Sequence, residues 1–217
     1  MKPIANVLLT GFDPFGGETV NPSWEAVRTL DGETVAGHTL RAVQLPTMFG
    51  RSLTALRAAM RRWKPVLVVC VGQAGGRPQL SLERVAINVD DARIPDNAGK
   101  QPIDRAVVRD GPSAYFSTLP IKAIRAALID SGLPAEISQT AGTFVCNHVF
   151  YGLMHALAAT PAIRGGFVHI PFLPEQAARH AGAPSLAQAE VVRALRLIVE
   201  TSLATPTDKR IGGGATH

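Results

Sequence analysis

The chain alternates between segments patterned like strands and segments with the period of helices. Strands are predicted where apolar residues run continuously or alternate with polar ones. These segments are residues 4–10, 40–45, 66–71, 80–88, 135–140 and 166–171. Helices are predicted where apolar residues recur every three or four positions. These segments are residues 24–30, 51–63, 121–131, 148–157 and 185–203.

This order of elements predicts the fold class. Strands that alternate with helices favour an α/β fold, here a single domain with a mainly parallel twisted sheet and helices on both faces. The domain is predicted to span residues 1–203, and the glycine-rich tail at residues 204–217 is predicted to be disordered. The polar stretch at residues 90–111 predicts a long ordered loop or short hairpin beside the site, because no shift in composition marks a new domain.

The predicted strands also indicate where a site forms. In open α/β sheets, ligands bind beyond the carboxyl ends of the strands. Phe12, Gln73, Cys146 and His169 each follow or end a predicted strand. We therefore expect these four residues, although distant in sequence, to lie near one another.

Composition and charge disfavour several classes of function. The chain has 217 residues, 46% of them hydrophobic and 18% charged, which is ordinary for a compact soluble domain. Its net charge of +5 comes from dispersed basic residues, which disfavours nucleic-acid binding. No apolar stretch has the length of a membrane span or the form of a signal peptide. A cytosolic protein with free thiols at Cys70 and Cys146 is expected, and no cysteine and histidine cluster has zinc spacing.

Cys146 is the candidate nucleophile. It lies where an alternating strand pattern and an Ala-Gly break give way to a helical pattern. The backbone N–H groups in the first turn of a helix favour an anion, so a thiolate is expected to form there more easily than at an ordinary cysteine.

His169 is the candidate base for this thiol. It ends an apolar strand just before Pro171, on backbone that a sheet would hold rigid. A core histidine bonded to a carbonyl group explains this local pattern equally well. His148 is closer in sequence, but residues two apart on a helix do not face each other, so it is a poor partner for Cys146.

The acidic partner is less determined by pattern. Glu83 interrupts an alternating, half-buried segment, where a carboxylate is costly unless it is paired. Asp90, Asp91 and Asp96 lie in a polar stretch where solvated loop acids are the default. The pattern favours Glu83 without deciding the choice.

An apolar binding slot is a further hypothesis. Phe12 and Phe15 lie in a glycine-flanked loop, and together with Phe144 they are able to form the walls of such a slot, although anchoring of the loop to the core is an equal explanation. The glycines at residues 16–17 and 72–76 fit neither the dinucleotide-binding nor the P-loop spacing.

Several separate motifs carry a family resemblance. They lie at residues 11–17, 21–23, 71–77, 83–88, 91–97, 141–147 and 169–171. From about Asn6 to the final helix, the chain resembles the pyrrolidone-carboxylate peptidase family, also called pyroglutamyl peptidase type I. The resemblance implies a cytosolic cysteine peptidase that removes an N-terminal pyroglutamyl residue from peptides without a cofactor.

The resemblance also implies roles for individual residues. It makes Cys146 the nucleophile, His169 the base and Glu83 the acid, which decides among the carboxylates. It places Arg93 near the oxyanion. The residues that it associates with the substrate pocket are Phe12, Phe15, Asn21, Thr47, Gln73 and Phe144.

Two matters stay open at the level of sequence. Members of the family are often oligomers, so a homo-oligomer such as a tetramer is expected, but no stretch identifies an interface. A non-catalytic small-molecule binding protein, or a nucleoside hydrolase or phosphorylase, remains an alternative because doubly wound sheets host many chemistries.

Overall fold

The structure, a computed structural model, describes residues 5–214 and contains nine strands and six helices within that range. The strands are β1 (Asn6–Phe12), β2 (Thr34–Val35), β3 (His38–Leu45), β4 (Leu67–Gln73), β5 (Leu80–Glu83), β6 (Val85–Ile87), β7 (Ala114–Phe116), β8 (Ala135–Ser138) and β9 (Arg164–Ile170). The helices are α1 (Pro22–Arg28), α2 (Arg51–Trp63), α3 (Ile121–Asp130), α4 (Val145–Leu157), α5 (Pro174–Ala177) and α6 (Gln188–Ala204). Ile4, where the first predicted strand begins, lies outside the described residues, as do residues 215–217 of the predicted tail.

Seven strands form one sheet in the order β2-β3-β1-β4-β9-β5-β8. Strands β3, β1, β4 and β9 are parallel to one another. Strand β5 is antiparallel to β9 and parallel to β8, and β2 is antiparallel to β3. The predicted mainly parallel sheet is therefore confirmed, with antiparallel members toward both edges.

Helices cover the sheet on both faces, as predicted. Alternate residues of each strand point to opposite faces, so Val7 and Leu9 of β1 join a core with α1, α3 and α6. Leu8 and Phe12 of the same strand join a second core with α2 and α4. This double cover explains why β4 is buried along its whole length except at Gln73.

One predicted strand is divided in two by the structure. Residues 80–88 alternate as a single unit, but they form β5 in the main sheet and β6 in a small two-stranded sheet with β7. Arg84 lies at the division, and its backbone bonds to Ser138 on one side and to Ser117 on the other. Strands β2 and β7 were not predicted, because two or three residues are too few to show a period.

Residues 90–111 contain neither helix nor strand, and one antiparallel bridge joins Asp90 to Arg105. The Asp96 carboxylate organises this loop. It accepts hydrogen bonds from the backbone N–H groups of Phe49, Ala98 and Lys100, each at 2.8 Å. The loop is thus tied to itself and to the segment before α2.

The residues after α6 contact the body of the protein at three points. Arg164 donates a hydrogen bond to the Thr205 carbonyl, and Arg84 donates one to the Gly213 carbonyl at 2.7 Å. The Asp208 carboxylate accepts hydrogen bonds from the N–H groups of Lys122 and Ala123, at the start of α3. The boundary at residue 203 and the disorder beyond it stay predictions.

Neither a membrane-spanning helix nor a cluster of metal-binding side chains is found in residues 5–214. Every helix in this range is too short or too polar to cross a bilayer. In the same range, no group of three or more histidine, cysteine, aspartate or glutamate side chains is arranged to hold a metal ion.

Asp208→Ala tests the contact between the tail and α3. The residue before α3, Pro120, provides no side-chain cap, so Asp208 supplies the acceptor that an N-cap residue normally provides. We expect the substitution to lower the free energy of unfolding by about 1 kcal/mol in urea denaturation. Asp130→Ala, at the exposed C-terminal end of the same helix, is the matched control and is expected to change stability little. Equal unfolding midpoints for the two variants would contradict a capping role.

Candidate active site

Cys146 is the second residue of α4, and its sulfur packs against the end of β4. A Cβ atom added at Gly72 would lie 2.8 Å from Sγ of Cys146 and 2.8 Å from the Phe167 ring, closer than real Cβ atoms approach. Only glycine at position 72 therefore allows the sulfur to rest on the backbone of β4. Gly72 in turn pairs with His169 in the register between β4 and β9.

His169 and Glu83 form a buried pair beside this sulfur. Nδ1 of His169 lies 2.7 Å from Oε1 of Glu83, and the two residues are 4% and 0% exposed. The antiparallel register of β5 and β9 pairs Ser81 with His169, and Glu83 lies two residues further along on the same face. A carboxylate can only accept, so Nδ1 carries the hydrogen and Nε2 is left as an acceptor.

Arg77 contacts the same carboxylate. Its guanidinium lies 2.7 Å from Oε1 of Glu83 and donates a second hydrogen bond to the Thr140 carbonyl at 2.9 Å. No role for Arg77 was predicted from the sequence. A general signal was present, however, because a buried carboxylate requires a counter-charge and Arg77 ends the neighbouring glycine-rich loop.

Aromatic rings cluster around Phe144, the residue that precedes α4. Phe15 lies 6.1 Å from Phe144 between ring centroids, and Phe49 meets it edge-on at 5.4 Å. Phe12 is different, because it is 2% exposed and packs on Phe167 inside the core. Phe49 was missed because it lies between a predicted strand and a predicted helix, where no periodic pattern marks it.

Asp13 ties together the loops that carry these rings. Its carboxylate accepts hydrogen bonds from Thr47 N–H at 2.6 Å and from the Asn97 side chain at 3.2 Å. Its carbonyl group accepts from the side chains of Asn21 and Thr47. Asn21 also caps α1 by accepting from the Ser23 N–H. The polar groups of Asn21 and Thr47 thus hold the loop in place.

Comparison with known proteins bears directly on this arrangement. The sequence profile of the pyroglutamyl peptidase family matches residues 5–205. A pyrrolidone-carboxylate peptidase of Klebsiella pneumoniae is 60% identical over 214 residues, which cover 99% of this chain and 100% of the relative. One from Cupriavidus taiwanensis is 62% identical over 213 residues, covering 97% and 99%. The chain belongs to the pyroglutamyl peptidase family.

Solved structures of the family share the fold. The pyroglutamyl peptidase I of Bacillus amyloliquefaciens aligns with a TM-score of 0.94 at 50% identity, covering 96% of this chain and 100% of that one. The pyrrolidone carboxyl peptidase of Thermococcus litoralis aligns with a TM-score of 0.89 at 35% identity, covering 93% and 94%. The resemblance to pyroglutamyl peptidases seen in the sequence is thus confirmed, as is the fold class.

Gln73 and Arg93 are the two other residues expected at the site. Gln73 follows Gly72, which contacts the Cys146 sulfur, and Arg93 lies beside Phe144. Gln73 ends β4, and its Oε1 accepts a hydrogen bond from the buried Gln176 at 3.3 Å. Arg93 is exposed and lines a groove of about 340 Å³ together with Phe144, Ile94 and Thr143. This groove adjoins the segment that leads into Cys146.

The expectation of solvated loop acids was wrong for two of the three aspartates. Asp90 is buried and lies 2.8 Å from Nδ1 of His148, whose Nε2 accepts the Gly50 N–H. Both ring nitrogens of His148 are therefore engaged away from Cys146. Asp96 is buried because it organises the loop at residues 90–111, and Asp91 alone of the three is exposed.

The environment of Cys146 differs from the easily ionised thiol that its helix position suggested. The residue keeps some exposed surface, but its sulfur lies deep among protein atoms. Burial, with a smaller contribution from the negative charge of Glu83, raises the pKa of Cys146 to about 12, and Arg77 lowers it only in part. Loss of hydration destabilises the thiolate by more than the partial positive charge at the start of the helix stabilises it.

The raised pKa predicts the pH dependence of thiol alkylation. Since the thiolate is the minor form below its pKa, we expect the rate of iodoacetamide labelling of Cys146 to keep rising from pH 6 to 9, measured by mass spectrometry. The Cys146→Ala variant is the control and should stay unlabelled, because Cys70 is fully buried and its pKa is also raised to about 12. A plateau reached below about pH 7 would mean that His169 holds the thiolate as an ion pair.

Proposed function

We propose that the protein is a cysteine exopeptidase that hydrolyses the bond after an N-terminal pyroglutamyl residue, with Cys146, His169 and Glu83 as its catalytic triad. One observation carries the assignment of residues. In a member of this family, the His169 ring is oriented by a fully buried carboxylate and lies beside the backbone on which the Cys146 sulfur rests. A nucleophile, a base and an orienting acid are the parts that thiol-dependent acyl transfer requires.

The mechanism follows from the orientation of His169. Its free Nε2 takes the proton of Cys146 as the sulfur attacks the pyroglutamyl carbonyl carbon, because the thiol is protonated at neutral pH. The carbonyl oxygen becomes an oxyanion, held by N–H groups at the start of α4 and by Arg93. When the tetrahedral intermediate collapses, His169 gives the proton to the leaving amine and a thioester forms. His169 then removes a proton from water, which attacks the thioester and releases pyroglutamate and the thiol.

The substrate ring is proposed to bind between Phe15, Phe49 and Phe144. Pyroglutamate is a neutral lactam, so flat apolar walls suit its ring and no ion pair is needed. Selection against proline must come from groups that bond the lactam N–H and C=O, since a site built for such bonds rejects analogues that lack them. Gln73 is a candidate for one bond. Phe12, Asn21 and Thr47 support the pocket through the core and Asp13.

Partners and location are predicted from the same family assignment. Peptides with an N-terminal pyroglutamyl residue are the proposed substrates, and no cofactor enters the mechanism. A homo-oligomer such as a tetramer, and a cytosolic location, stay predictions, although free thiols at Cys70 and Cys146 are compatible with a reducing compartment. Neither a non-catalytic binding protein nor a nucleoside hydrolase or phosphorylase is favoured, because the chain resembles peptidases over nearly its whole length.

Hydrolysis of a chromogenic pyroglutamyl amide tests the triad. We expect Cys146→Ala and His169→Ala to lower kcat by about 10⁴-fold or more, and Glu83→Gln by about 10³-fold or more, because the three groups act as a unit. Cys70→Ala is the matched control and should keep its turnover at temperatures where it is folded. Turnover retained by Cys146→Ala would show that another group is the nucleophile.

Substitution of two phenylalanines separates the ring pocket from the core. Phe15 is half-buried, so Phe15→Ala should fold and raise KM for the pyroglutamyl amide by about tenfold through lost apolar contact. Phe12→Ala should instead lower the free energy of unfolding by about 3–5 kcal/mol, because it empties a buried core position. Steady-state kinetics and urea denaturation of both variants provide the measurements. An unchanged KM in Phe15→Ala would remove this residue from the pocket.

A further inference from the structure

One oxygen of the buried Glu83 carboxylate accepts hydrogen bonds from two side chains, His169 and Arg77. Oε1 lies 2.7 Å from Nδ1 of His169 and 2.7 Å from the Arg77 guanidinium. The carboxylate has no exposed surface, whereas the Arg77 side chain is 28% exposed. A neutral imidazole alone is a weak counterpart for a buried negative charge, so the guanidinium is the group that compensates it.

We propose that Arg77 is a positioning residue that keeps Glu83 ionised and thereby fixes the tautomer of His169. This proposal rests on the proposed triad and concerns a residue outside it. Arg77 bonds the Glu83 carboxylate, and its role is to set the charge of Glu83.

The protonation state of Glu83 determines which ring nitrogen of His169 carries the hydrogen. An ionised Glu83 only accepts, so the imidazole must carry its hydrogen on Nδ1 and present a bare Nε2 to the thiol. A protonated Glu83 carries its own hydrogen and donates it to Nδ1. The imidazole hydrogen then moves to Nε2, and this nitrogen is unable to take the proton of Cys146. Loss of the correct tautomer is severe in triads of this kind.

Charged or titratable groups from four segments enter this balance. One is the Glu136 carboxylate of β8, which lies on the same face as Glu83 and accepts a hydrogen bond from the Ser81 hydroxyl at 2.7 Å. His169 approaches from β9, Arg77 from the loop after β4, and Cys146 from α4 within the range of charge interaction. Arg84, the next residue along the chain, is directed to the Gly213 carbonyl. Arg77 is therefore the one permanent cation that bonds Glu83 among residues 5–214.

Arg77 is itself held in place by the segment that leads to Cys146. It donates to the Thr140 carbonyl at 2.9 Å and to the Ser138 hydroxyl at 3.3 Å. Ser138 is also the registered partner of Glu83 in the pairing of β5 with β8. A single guanidinium thus joins the acid to the chain that continues into the nucleophile.

The kinetic test uses Arg77→Met, Arg77→Gln and Arg77→Lys in the complete chain. We expect the two neutral variants to lower kcat for the pyroglutamyl amide by about a hundredfold at pH 7, with KM within about twofold, because Arg77 lies outside the ring pocket. Their activity relative to the parent at the same pH should recover at least about tenfold toward pH 9, because loss of a neighbouring cation disfavours the ionised form of a buried carboxyl and higher pH restores it. Arg77→Lys keeps the charge and should stay within about tenfold of the parent at every pH.

Two controls make the kinetic result specific. Arg28→Met removes an arginine from an exposed pair with Glu25 and should leave the pH profile unchanged. Adding Arg77→Met to Glu83→Gln should lower kcat little further, because the charge that Arg77 balances is already absent. If Arg77→Met does not fold, as judged by circular dichroism, Arg77→Gln carries the test.

A second readout does not depend on turnover. In Cys146→Ala chains with ¹⁵N-labelled histidine, the two ring nitrogens of His169 report which one is protonated, with His169→Ala identifying their signals. We expect Nδ1–H with Arg77 present and Nε2–H at pH 7 in Arg77→Met. The same tautomer in both chains, or equal loss of activity at every pH, would overturn the proposal. A parent chain that leaves the amide uncleaved would instead overturn the proposed function, and the tautomer result would stand apart from it.

Discussion

The burial of the Glu83 charge is the constraint on which the site depends. A carboxylate without exposed surface is tolerated only where its partners are close and fixed, and here they come from the end of β9 and from the loop after β4. One of these partners is the His169 imidazole, whose ring is held by its contact with Oε1 of Glu83. Stability of the buried charge and geometry of the site are therefore supplied by the same few hydrogen bonds, so that neither can be altered without the other.

The second constraint is the close approach of α4 to the sheet. The sulfur of Cys146 occupies the space that a side chain at position 72 would take, and Phe167 fills the remaining volume. This contact removes the thiol from solvent and raises its pKa, so the position of the sulfur, and not easy ionisation, is what the fold provides. In the proposed mechanism, His169 must then take the proton during attack, which makes its orientation more demanding.

Periodicity predicted the large elements because they are long and amphipathic or fully buried. Helix α2 has the predicted bounds, and β4 and β9 lie where continuous apolar runs indicated. The rule that sites form at carboxyl ends applies to Phe12, Gln73 and His169, whose strands are parallel. It does not explain Cys146, because β8 is antiparallel to β9 and the chain returns to the site through residues 139–144. Pairing direction is set by distant contacts that no local pattern contains.

The side-chain networks were harder to predict for a related reason. Asp13, Asp90 and Asp96 look like ordinary loop acids in the sequence, yet each bonds to groups from at least one remote segment. Their burial is a property of the loops packed together, not of the local sequence around each residue. For His169, the two alternatives were a base or a core residue bonded to a carbonyl group. The partner found at Nδ1 is the Glu83 carboxylate, which the strand that carries His169 does not reveal.

The position of β9 has a consequence for how the chain folds. It is the last strand in the sequence, yet it lies in the middle of the sheet between β4 and β5. The two halves of the sheet can therefore join only after residues 164–170 have left the ribosome, and such distant pairing is slow because a long loop must close first. Until that insertion, the nascent chain contains the proposed nucleophile and acid, Cys146 and Glu83, without the proposed base, His169. The sheet and the proposed site therefore both stay incomplete until β9 has been inserted.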